Sequence, residues 1–386
     1  MLKHYRLCLL PILLLAFALP AAAQAPQPFR TLLPVPDLPG FKTLKGDFHL
    51  HTIFSDGNVV PSVHITEAWR DGLDVISLTE HVEYHPHKDY VPVDPGRSYT
   101  LGRPLAEQLG VLLIPGAEIT KTVDGVPTHF NALFVNDWAA LNVPDVHEAL
   151  RRARSQSAFV FWNHPGWRVE RPMWTAAVAL AHEEKLFHGM ELVNGPNFYD
   201  GAYPWIEEKK LTILANSDEH QPTTPRAAAG TLRPITLLFV KSADAAGVRE
   251  ALEARRTAAW LDDQMWGAEE YLRGLWQGAV SFDNAADAAR AEGRRRGSTF
   301  VLRIRNTSAI PFRIGLANPP AWLGTEAPAY AVHPQAISRV PVEIGRHAPP
   351  PAGRQALEVQ FVVENLHTGP GRALIVSVPL TFNLAK

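Results

Sequence analysis

The sequence predicts an α/β domain, arranged as a barrel or an open sheet, followed by a smaller all-β domain. From about Lys42 to residue 255, short apolar runs alternate with helix-like stretches, and strands separated by helices favour parallel pairing. After residue 297 the period changes, because Phe300, Leu302 and Ile304 fall on alternate positions and turns rich in Pro and Gly follow. Short strands without helices are typical of a β-sandwich. The length of 386 residues is enough for both domains.

Seven apolar runs predict the strands of the α/β domain, and helix-like stretches lie between several of them. The predicted strands are residues 44–50, 74–79, 111–116, 129–135, 158–162, 189–193 and 211–216. The predicted helices are residues 63–70, 146–154 and 174–186, and residues 235–240 and 244–255 predict a further strand and a last helix. We therefore place the α/β domain at residues 43–282, a linker at residues 283–297, and a small immunoglobulin-like β-sandwich at residues 298–386.

The N-terminal residues 1–23 predict an export signal. Lys3 and Arg6 precede an apolar run, and Ala21 to Ala23 are small residues suited to cleavage. The run is shorter than the roughly 20 apolar residues that a membrane span needs. Residues 24–42 carry five prolines and predict an extended surface linker. We expect an exported protein, periplasmic or secreted, with no membrane span in the mature chain.

Composition excludes several classes of function. The chain has 37 Lys+Arg against 39 Asp+Glu, so it does not resemble a dedicated binder of nucleic acid or of a membrane surface. Cys8, the only cysteine, lies in the predicted signal. A mature chain without cysteine has no disulfide, no thiolate nucleophile and no zinc–thiolate site. Any metal ion must therefore be held by His, Asp and Glu.

Residues able to bind metal ions recur at or near the ends of the predicted strands. His49 and His51 are two apart, so on a strand they point to one face, and Asp218 and His220 repeat this spacing. One such pair is a weak signal that also fits ordinary surface or core histidines. Further candidate ligands are Asp56, His81, Glu118, His129 and His164. Catalytic residues of parallel barrels gather at the carboxyl ends of the strands, so the whole set predicts one metal site.

The candidate ligands and their neighbours resemble the PHP (polymerase and histidinol phosphatase) family, and they occur in the order typical of that family. The matching segments are HLH (49–51), SDG (55–57), TEH (79–81) and DEH (218–220), together with Glu118, His129 and His164. The resemblance covers roughly residues 43–260. Residues 79–88 (TEHVEYHPHK), with the export signal, are similar to an exported branch of Sb-PDE-type phosphodiesterases. Many family members have Asp where this chain has Glu80, a position that we do not assign to a metal ion.

The resemblance implies a distorted seven-stranded (β/α) barrel that holds two or three divalent metal ions. It implies that His49, His51, Glu118 and Asp218 bind the first ion, that Glu118 bridges to a second ion completed by His129 and His164, and that Asp56, His81 and His220 bind a third. Six imidazoles and three carboxylates suit Zn, Mn or Fe better than Mg or Ca, which prefer oxygen ligands.

Such a centre predicts a hydrolase that cleaves a small-molecule phosphate ester by attack of metal-bound hydroxide, with Glu118 and Asp218 at its core. We favour a phosphodiesterase because of the Sb-PDE-type resemblance. Two alternatives stay open: a phosphomonoesterase of the same family, and a non-catalytic metal- or envelope-binding module that recognises its ligand through the C-terminal domain.

Weaker signals mark candidate substrate contacts. His87 and Lys88 lie in the loop after His81 and could contact phosphate or protonate the leaving group, although an ordinary polar loop explains them equally well. Arg168 and Arg226 follow predicted ligands and could clamp phosphate, while a solvated surface position is the simpler interpretation.

Other residues near the predicted site have two interpretations. Asn194 ends a predicted strand and could contact substrate or a metal-bound water. Asp47 could orient a ligand imidazole, or it could be a satisfied carboxylate at a strand start. Trp162, Trp167 and Trp174 could line the pocket, although such residues more often serve core or rim packing.

Overall fold

The computed structural model describes residues 30–223, 233–283, 298–345 and 347–384. The predicted export signal, the first residues of the predicted N-terminal linker and residues 284–297 of the predicted second linker lie outside the described residues. Within the described ranges, no helix combines the length and the apolar character that crossing a membrane requires.

The first part of the chain alternates strands and helices, as its sequence pattern predicts. Its described strands are β1 (Lys42–Asp47), β2 (Val75–Leu78), β3 (Leu112–Val123), β4 (Val126–Leu133), β5 (Phe159–Trp162), β6 (Gly189–Asn194), β7 (Asn197–Phe198), β8 (Thr212–Asn216), β9 (Ile235–Val240), β10 (Thr257–Leu261), β11 (Gln264–Gly267) and β12 (Val280–Phe282). Its described helices are α1 (Pro61–Arg70), α2 (Arg97–Leu109), α3 (Val146–Ser155), α4 (Ala176–Glu183), α5 (Tyr203–Glu208), α6 (Ala245–Glu253) and α7 (Glu269–Ala279). Short 3-10 turns lie at Ala139–Leu141 and Asp200–Ala202.

The strands curve into a barrel made of two parallel groups. β1, β2 and β3 pair in parallel, and so do β5, β6 and β8. Between the groups, β4 runs antiparallel to both β3 and β5. At the mouth, the backbone of Leu50 bridges to that of Glu219, and Phe48 N donates to Asn216 Oδ1 at 2.9 Å, which brings β8 against β1. This mixed α/β fold with its parallel strands and seven described helices fits the PHP barrel.

Two strands depart from the predicted parallel pairing. β4 is antiparallel because β3 and β4 form a hairpin, whose turn residues Asp124 and Gly125 have φ of 51° and 79°. Two left-handed residues with the sequence Asp-Gly are typical of the tight turn that joins antiparallel strands. β9 is antiparallel to β1, and Thr236 Oγ1 accepts a hydrogen bond from Ala215 N at 2.9 Å, so β9 also contacts β8.

The helices pack their apolar sides on the barrel. α3 buries Val146, Ala149, Leu150 and Ala153, the spacing of one helix face. Its N-cap residue, Asp145, accepts a hydrogen bond from Glu148 N at 2.7 Å. Every residue of β2, β5, β6, β8 and β9 is buried, as expected for strands covered on both sides.

The described residues after 297 form strands in two sheets. The strands are β13 (Ser298–Asn306), β14 (Phe312–Ala317), β15 (Leu323–Gly324), β16 (Tyr330–Val332), β17 (Ala336–Ile344), β18 (Gly353–Gly369) and β19 (Arg372–Leu384). One sheet has the order β12-β13-β17-β15. In the other, β18 pairs with β14 and β19, and also in parallel with β11, so this sheet continues that of the barrel. The immunoglobulin-like assignment remains a prediction.

The described part of the predicted N-terminal linker is packed and is not an exposed spacer. Thr31 N donates to Arg70 O at 2.7 Å, and Ala309 N donates to Pro34 O at 2.7 Å, so the segment connects α1 to the C-terminal strands. Leu38 is 7% exposed and belongs to the main core. The prediction was wrong here because an extended, proline-rich backbone leaves its own peptide groups and apolar side chains free to pack against neighbouring elements.

Replacement of Leu38 by Ala tests this packing. The lost side-chain atoms should lower the free energy of unfolding by about 2–4 kcal/mol, measured by chemical denaturation. The matched control is Leu32→Ala in the same segment, because Leu32 is 80% exposed and should change stability by less than about 0.5 kcal/mol. Equal, small effects of both substitutions would mean that the segment is a free linker.

Candidate metal centre

The fold brings all nine predicted metal ligands together at the mouth of the barrel. His49 and His51 follow β1, Asp56 lies in the next turn, His81 follows β2, Glu118 lies in β3, His129 lies in β4, His164 follows β5, and Asp218 and His220 follow β8. Groups of these residues offer ligand atoms that lie within 4.8 Å of one another. Ligands far apart in the sequence therefore converge because they follow or lie in six barrel strands.

Glu118 is the centre of the group. Its Oε2 atom lies 3.5 Å from His49 Nε2 and 3.4 Å from His51 Nε2. Its Oε1 atom lies 3.1 Å from His129 Nδ1 and 3.5 Å from His164 Nε2. Oε2 also lies 2.8 Å from His81 Nδ1, so one oxygen of this buried carboxylate faces three imidazoles and the other faces two, as a bridging ligand would.

Asp218 lies beside His49 and His51. Its Oδ1 atom lies 3.2 Å from both His49 Nε2 and His51 Nε2. Asn194 Nδ2 donates to the other carboxylate oxygen of Asp218 at 3.3 Å, so Asn194 orients this carboxylate. The predicted contact of Asn194 with substrate remains a prediction.

A further group surrounds Asp56. Its Oδ1 atom lies 3.2 Å from His220 Nε2, and its Oδ2 atom lies 3.3 Å from His81 Nε2. The ring of His51 lies close to those of His81 and His220, at centroid distances of 4.5 and 4.3 Å. The turn that carries Asp56 needs Gly57, because a Cβ atom there would collide with the carbonyl oxygen of His51.

The polar atoms of this centre fit metal ions. Within the described residues, eleven buried side-chain atoms make no hydrogen bond of good geometry, and five of them lie in this centre: His49 Nε2, His51 Nε2, Asp56 Oδ1, Glu118 Oε2 and Asp218 Oδ1. A buried polar atom without a partner costs about 1–3 kcal/mol, and more if it is charged. All five belong to predicted ligands and are directed into the cluster, so divalent cations would satisfy them together.

The electrostatic field of the cluster fixes the charge of its central groups. Burial acts to raise the pKa of Glu118, but the imidazoles of His81 and His49 outweigh burial and hold this pKa well below its usual range. Burial also acts to raise the pKa of Asp218, and His49 holds it below its usual value. Burial and the neighbouring His81 lower the pKa of His51 to about 3. Burial acts to lower the pKa of His49 and of His81, but Asp218 outweighs it at His49 and Glu118 at His81, and both pKa values lie well above the usual range. A metal ion would therefore bind these two imidazoles in exchange for protons.

Two ligands occupy a strained backbone conformation. His164 has φ of 26° and Asp218 has φ of 53°, in the left-handed region that residues with a side chain rarely adopt. His164 N donates to Glu191 Oε2 at 2.9 Å, and Asp218 N donates to His49 O at 2.9 Å. Such strain persists where the surroundings enforce it, and it is concentrated at functional sites.

Glu191 is a supporting residue that sequence reasoning missed. It lies in β6, is fully buried, and accepts hydrogen bonds from His49 Nδ1, Asn216 Nδ2, His164 N and Asn194 Nδ2 at 2.9–3.0 Å. It therefore orients ligands from two different strands. The sequence did contain a signal for Glu191, because it is a single carboxylate inside the apolar run GMELV. A fully buried Glu is rare unless it is paired, so such a residue indicates a specific role.

Two other buried carboxylates hold the backbone around the ligands. Glu80 accepts hydrogen bonds from Thr52 Oγ1 and Ser55 Oγ, both at 2.6 Å, and thereby fixes the turn after His51. Asp47 accepts from Ser217 Oγ at 2.5 Å and from His49 N at 3.3 Å. Asp47 thus contacts the backbone of a ligand and not its imidazole, so it is a satisfied carboxylate at a strand end.

The predicted substrate contacts have different surroundings. His87 Nε2 donates to Gly57 O at 3.1 Å, which places His87 beside the Asp56 turn, and the next residue, Lys88, is exposed. The guanidinium of Arg168 is exposed and lies 4.2 Å from the ring centroid of Trp167. Arg226 lies outside the described residues. The roles of these four residues in substrate binding remain predictions.

The three tryptophans near His164 separate into two groups. Trp162 stacks on Trp205 at 5.7 Å and contacts Trp174 at 5.8 Å, so both predicted pocket residues serve core packing. Trp167 instead lies at the metal centre, with its ring centroid 5.2 Å from that of His129 and 5.3 Å from that of His164.

Fold and site together define a metal-binding barrel of the PHP type. No protein-family model matches the chain, and no curated protein matches it. A solved structure does: a two-domain protein from Bacteroides vulgatus that contains a predicted PHP-like metal-dependent phosphoesterase. The TM-score is 0.81 at 36% sequence identity, over 91% of this chain and 99% of that chain. The chain belongs to the family of PHP-like metal-dependent phosphoesterases.

Weaker similarities extend to other solved structures. A protein from Bifidobacterium adolescentis that is proposed to be a metal-dependent phosphoesterase is 16% identical over 54% of this chain and 96% of its own, with a TM-score of 0.41. The lesion-specific endonuclease Q from Pyrococcus furiosus is 16% identical over 59% of each chain, with a TM-score of 0.40.

Substitution of Glu191 by Gln tests the supporting layer. The side chain keeps its shape, but its amide nitrogen cannot accept a hydrogen bond, so two of the four donors lose their partner. We expect metal affinity to fall about 10- to 100-fold, measured by elemental analysis after dialysis against graded chelator. The matched control is Glu253→Gln at an exposed helix position, with folding verified by circular dichroism. Unchanged metal retention in Glu191→Gln would refute the assigned role.

Proposed function

We propose that this chain is an exported, metal-dependent phosphodiesterase. The observation that carries the proposal is the position of Glu118, whose two carboxylate oxygens face different groups of imidazoles at the open end of the barrel. The family supports a phosphoesterase, and the sequence of residues 79–88 favours a diester. The apolar run after Lys3 and Arg6 supports export.

The residues present would hold two or three ions of Zn, Mn or Fe. His49, His51 and Asp218 would hold one ion, and His129 and His164 a second, with Glu118 between them. Asp56, His81 and His220 would hold a third. When bound, such ions lower the pKa of a coordinated water and neutralise charge that develops on phosphorus.

Side chains of the protein would guide the substrate to the metal centre and protonate the leaving group. Three carboxylates at the centre are negative, so a phosphate ester can approach only where cations and imidazoles offset them. The side chain of His220 is the most exposed of the nine ligands, at 32%, and those of Asp56 and Asp218 follow at 21% each, so we expect the substrate to approach from the side of His220. His87 lies next to the Asp56 turn and is the candidate donor of a proton to the leaving alcohol. Arg168 offers a positive charge over the ring of Trp167, which lies beside His129 and His164.

Two parts of the proposal concern the C-terminal strands and the type of ester. We place the two sheets after residue 297 in an immunoglobulin-like sandwich that covers one side of the barrel, consistent with the pairing of β18 with β11.

A phosphomonoesterase is the second candidate function, because the same set of ligands serves either ester. Rates on mono- and bis(p-nitrophenyl) phosphate distinguish the two.

Removal of the bridging carboxylate tests the enzyme directly. Purified protein loaded with Mn or Zn should release p-nitrophenolate from bis(p-nitrophenyl) phosphate. Glu118→Ala should lower kcat/KM by more than about 100-fold, since even supporting residues of metal centres cost 10- to 100-fold. The matched control is Glu107→Ala, because Glu107 is an exposed helix residue.

Two results would contradict the proposal. Full activity of Glu118→Ala would mean that the chemistry occurs elsewhere. Absence of turnover with every metal, on both mono- and diesters, would favour a non-catalytic metal- or envelope-binding module.

A further inference from the structure

Two exposed aromatic side chains flank the metal centre. Tyr84 is 53% exposed, and its ring centroid lies 5.9 Å from that of His81, a residue of the Asp56 group. Trp167 is 37% exposed and lies beside His129 and His164, which face the other oxygen of Glu118. The two rings therefore stand next to different groups of ligands at the same opening.

The segment that carries Tyr84 is held over the mouth. Residues 79–96 connect β2 to α2, and loops longer than about 12–15 residues in compact domains are usually functional. His85 Nδ1 donates to Phe54 O at 3.0 Å, and His87 Nε2 donates to Gly57 O at 3.1 Å. Both histidines thus attach the loop to the turn that carries Asp56, which keeps Tyr84 beside His81.

Trp167 is fixed by the turn that also positions a ligand. Trp167 N donates to His164 O at 2.9 Å, so the backbone of Trp167 is held in the turn that carries His164. The indole is tilted by 52° and 55° against the rings of His129 and His164 and is not stacked flat on them. Arg168, with φ of 57°, holds its guanidinium over the same indole, which adds a positive charge beside the ring.

The aromatic side chains of the neighbouring strand β5, such as Trp162 and Phe161, are buried. Rings left exposed beside a polar centre are suited to contact planar groups of a ligand, because aromatic contacts add to binding and tolerate different rings. Building on the phosphoesterase proposed above, we infer that Tyr84 and Trp167 contact the organic groups of the ester. They make the site select phosphate esters that carry a planar ring, either an aryl group or a nucleobase, over ring-free alkyl esters.

Binding of three phosphate monoesters to the manganese-loaded protein tests this selection. Phenyl phosphate carries an aryl ring, thymidine 5′-phosphate carries a nucleobase, and ethyl phosphate carries no ring. By titration calorimetry, the ring-bearing compounds should bind about 3- to 10-fold more tightly than ethyl phosphate. The comparison of phenyl phosphate with thymidine 5′-phosphate identifies which ring the site prefers.

Variants locate the selection. Trp167→Leu and Tyr84→Ala should each lower the ratio of ring-bearing to ring-free affinity, and Trp167→Phe should retain most of it. Tyr90→Ala is the matched control, because Tyr90 lies in the same loop and is 91% exposed. Its ratio should equal that of the wild type. Circular dichroism and metal content confirm that each variant is folded and loaded.

The outcomes separate this inference from the proposed function. Equal affinity for all three compounds in the wild type, or a ratio unchanged in both Trp167→Leu and Tyr84→Ala, would overturn the ring selection even if esters are hydrolysed. Tight, ring-dependent binding without hydrolysis of any ester would overturn the phosphoesterase and leave the ring selection standing.

Discussion

The structure depends on one buried carboxylate shared among imidazoles. Glu118 is 1% exposed, and His49, His51, His81, His129 and His164 all place a ring nitrogen within 3.5 Å of its oxygens. A buried charge is strongly destabilising unless it is paired, so the ends of β1, β2, β3, β4 and β5 must meet at fixed distances. The positions of the barrel strands and the geometry of this cluster therefore depend on each other.

A second layer of buried carboxylates makes these distances possible. Glu191, Glu80 and Asp47 accept hydrogen bonds from ligand rings or from the backbone beside them. Each is fully buried, so each must be fully partnered to avoid a large cost. The unusual backbone angle of His164 is maintained by its hydrogen bond to Glu191, and that of Asp218 by its hydrogen bond to the His49 carbonyl. The strained backbone angles and the buried charges are thus concentrated at the residues that would bind metal ions.

The sequence was sufficient for local features and insufficient for long-range packing. The strands of the α/β domain were predicted from apolar runs, which are local. The ligands were predicted from their positions near the ends of these runs and from the resemblance to the PHP family. The helix α2 was missed because Pro104 lies inside it, and the β3–β4 hairpin because its Asp-Gly turn was not recognised. The role of Glu191 and the packing of Leu38 depend on partners more than a hundred residues away, such as His49 and Gly274, which no local pattern reveals.

Elemental analysis of the purified mature protein tests the central claim most directly. If Glu118 and its imidazoles form a shared site, the wild type should contain two to three equivalents of Zn, Mn or Fe, and a His49→Ala/His51→Ala variant should contain clearly fewer. Less than one equivalent in the wild type, with no gain when metals are added, would contradict a metal centre and the account built on it.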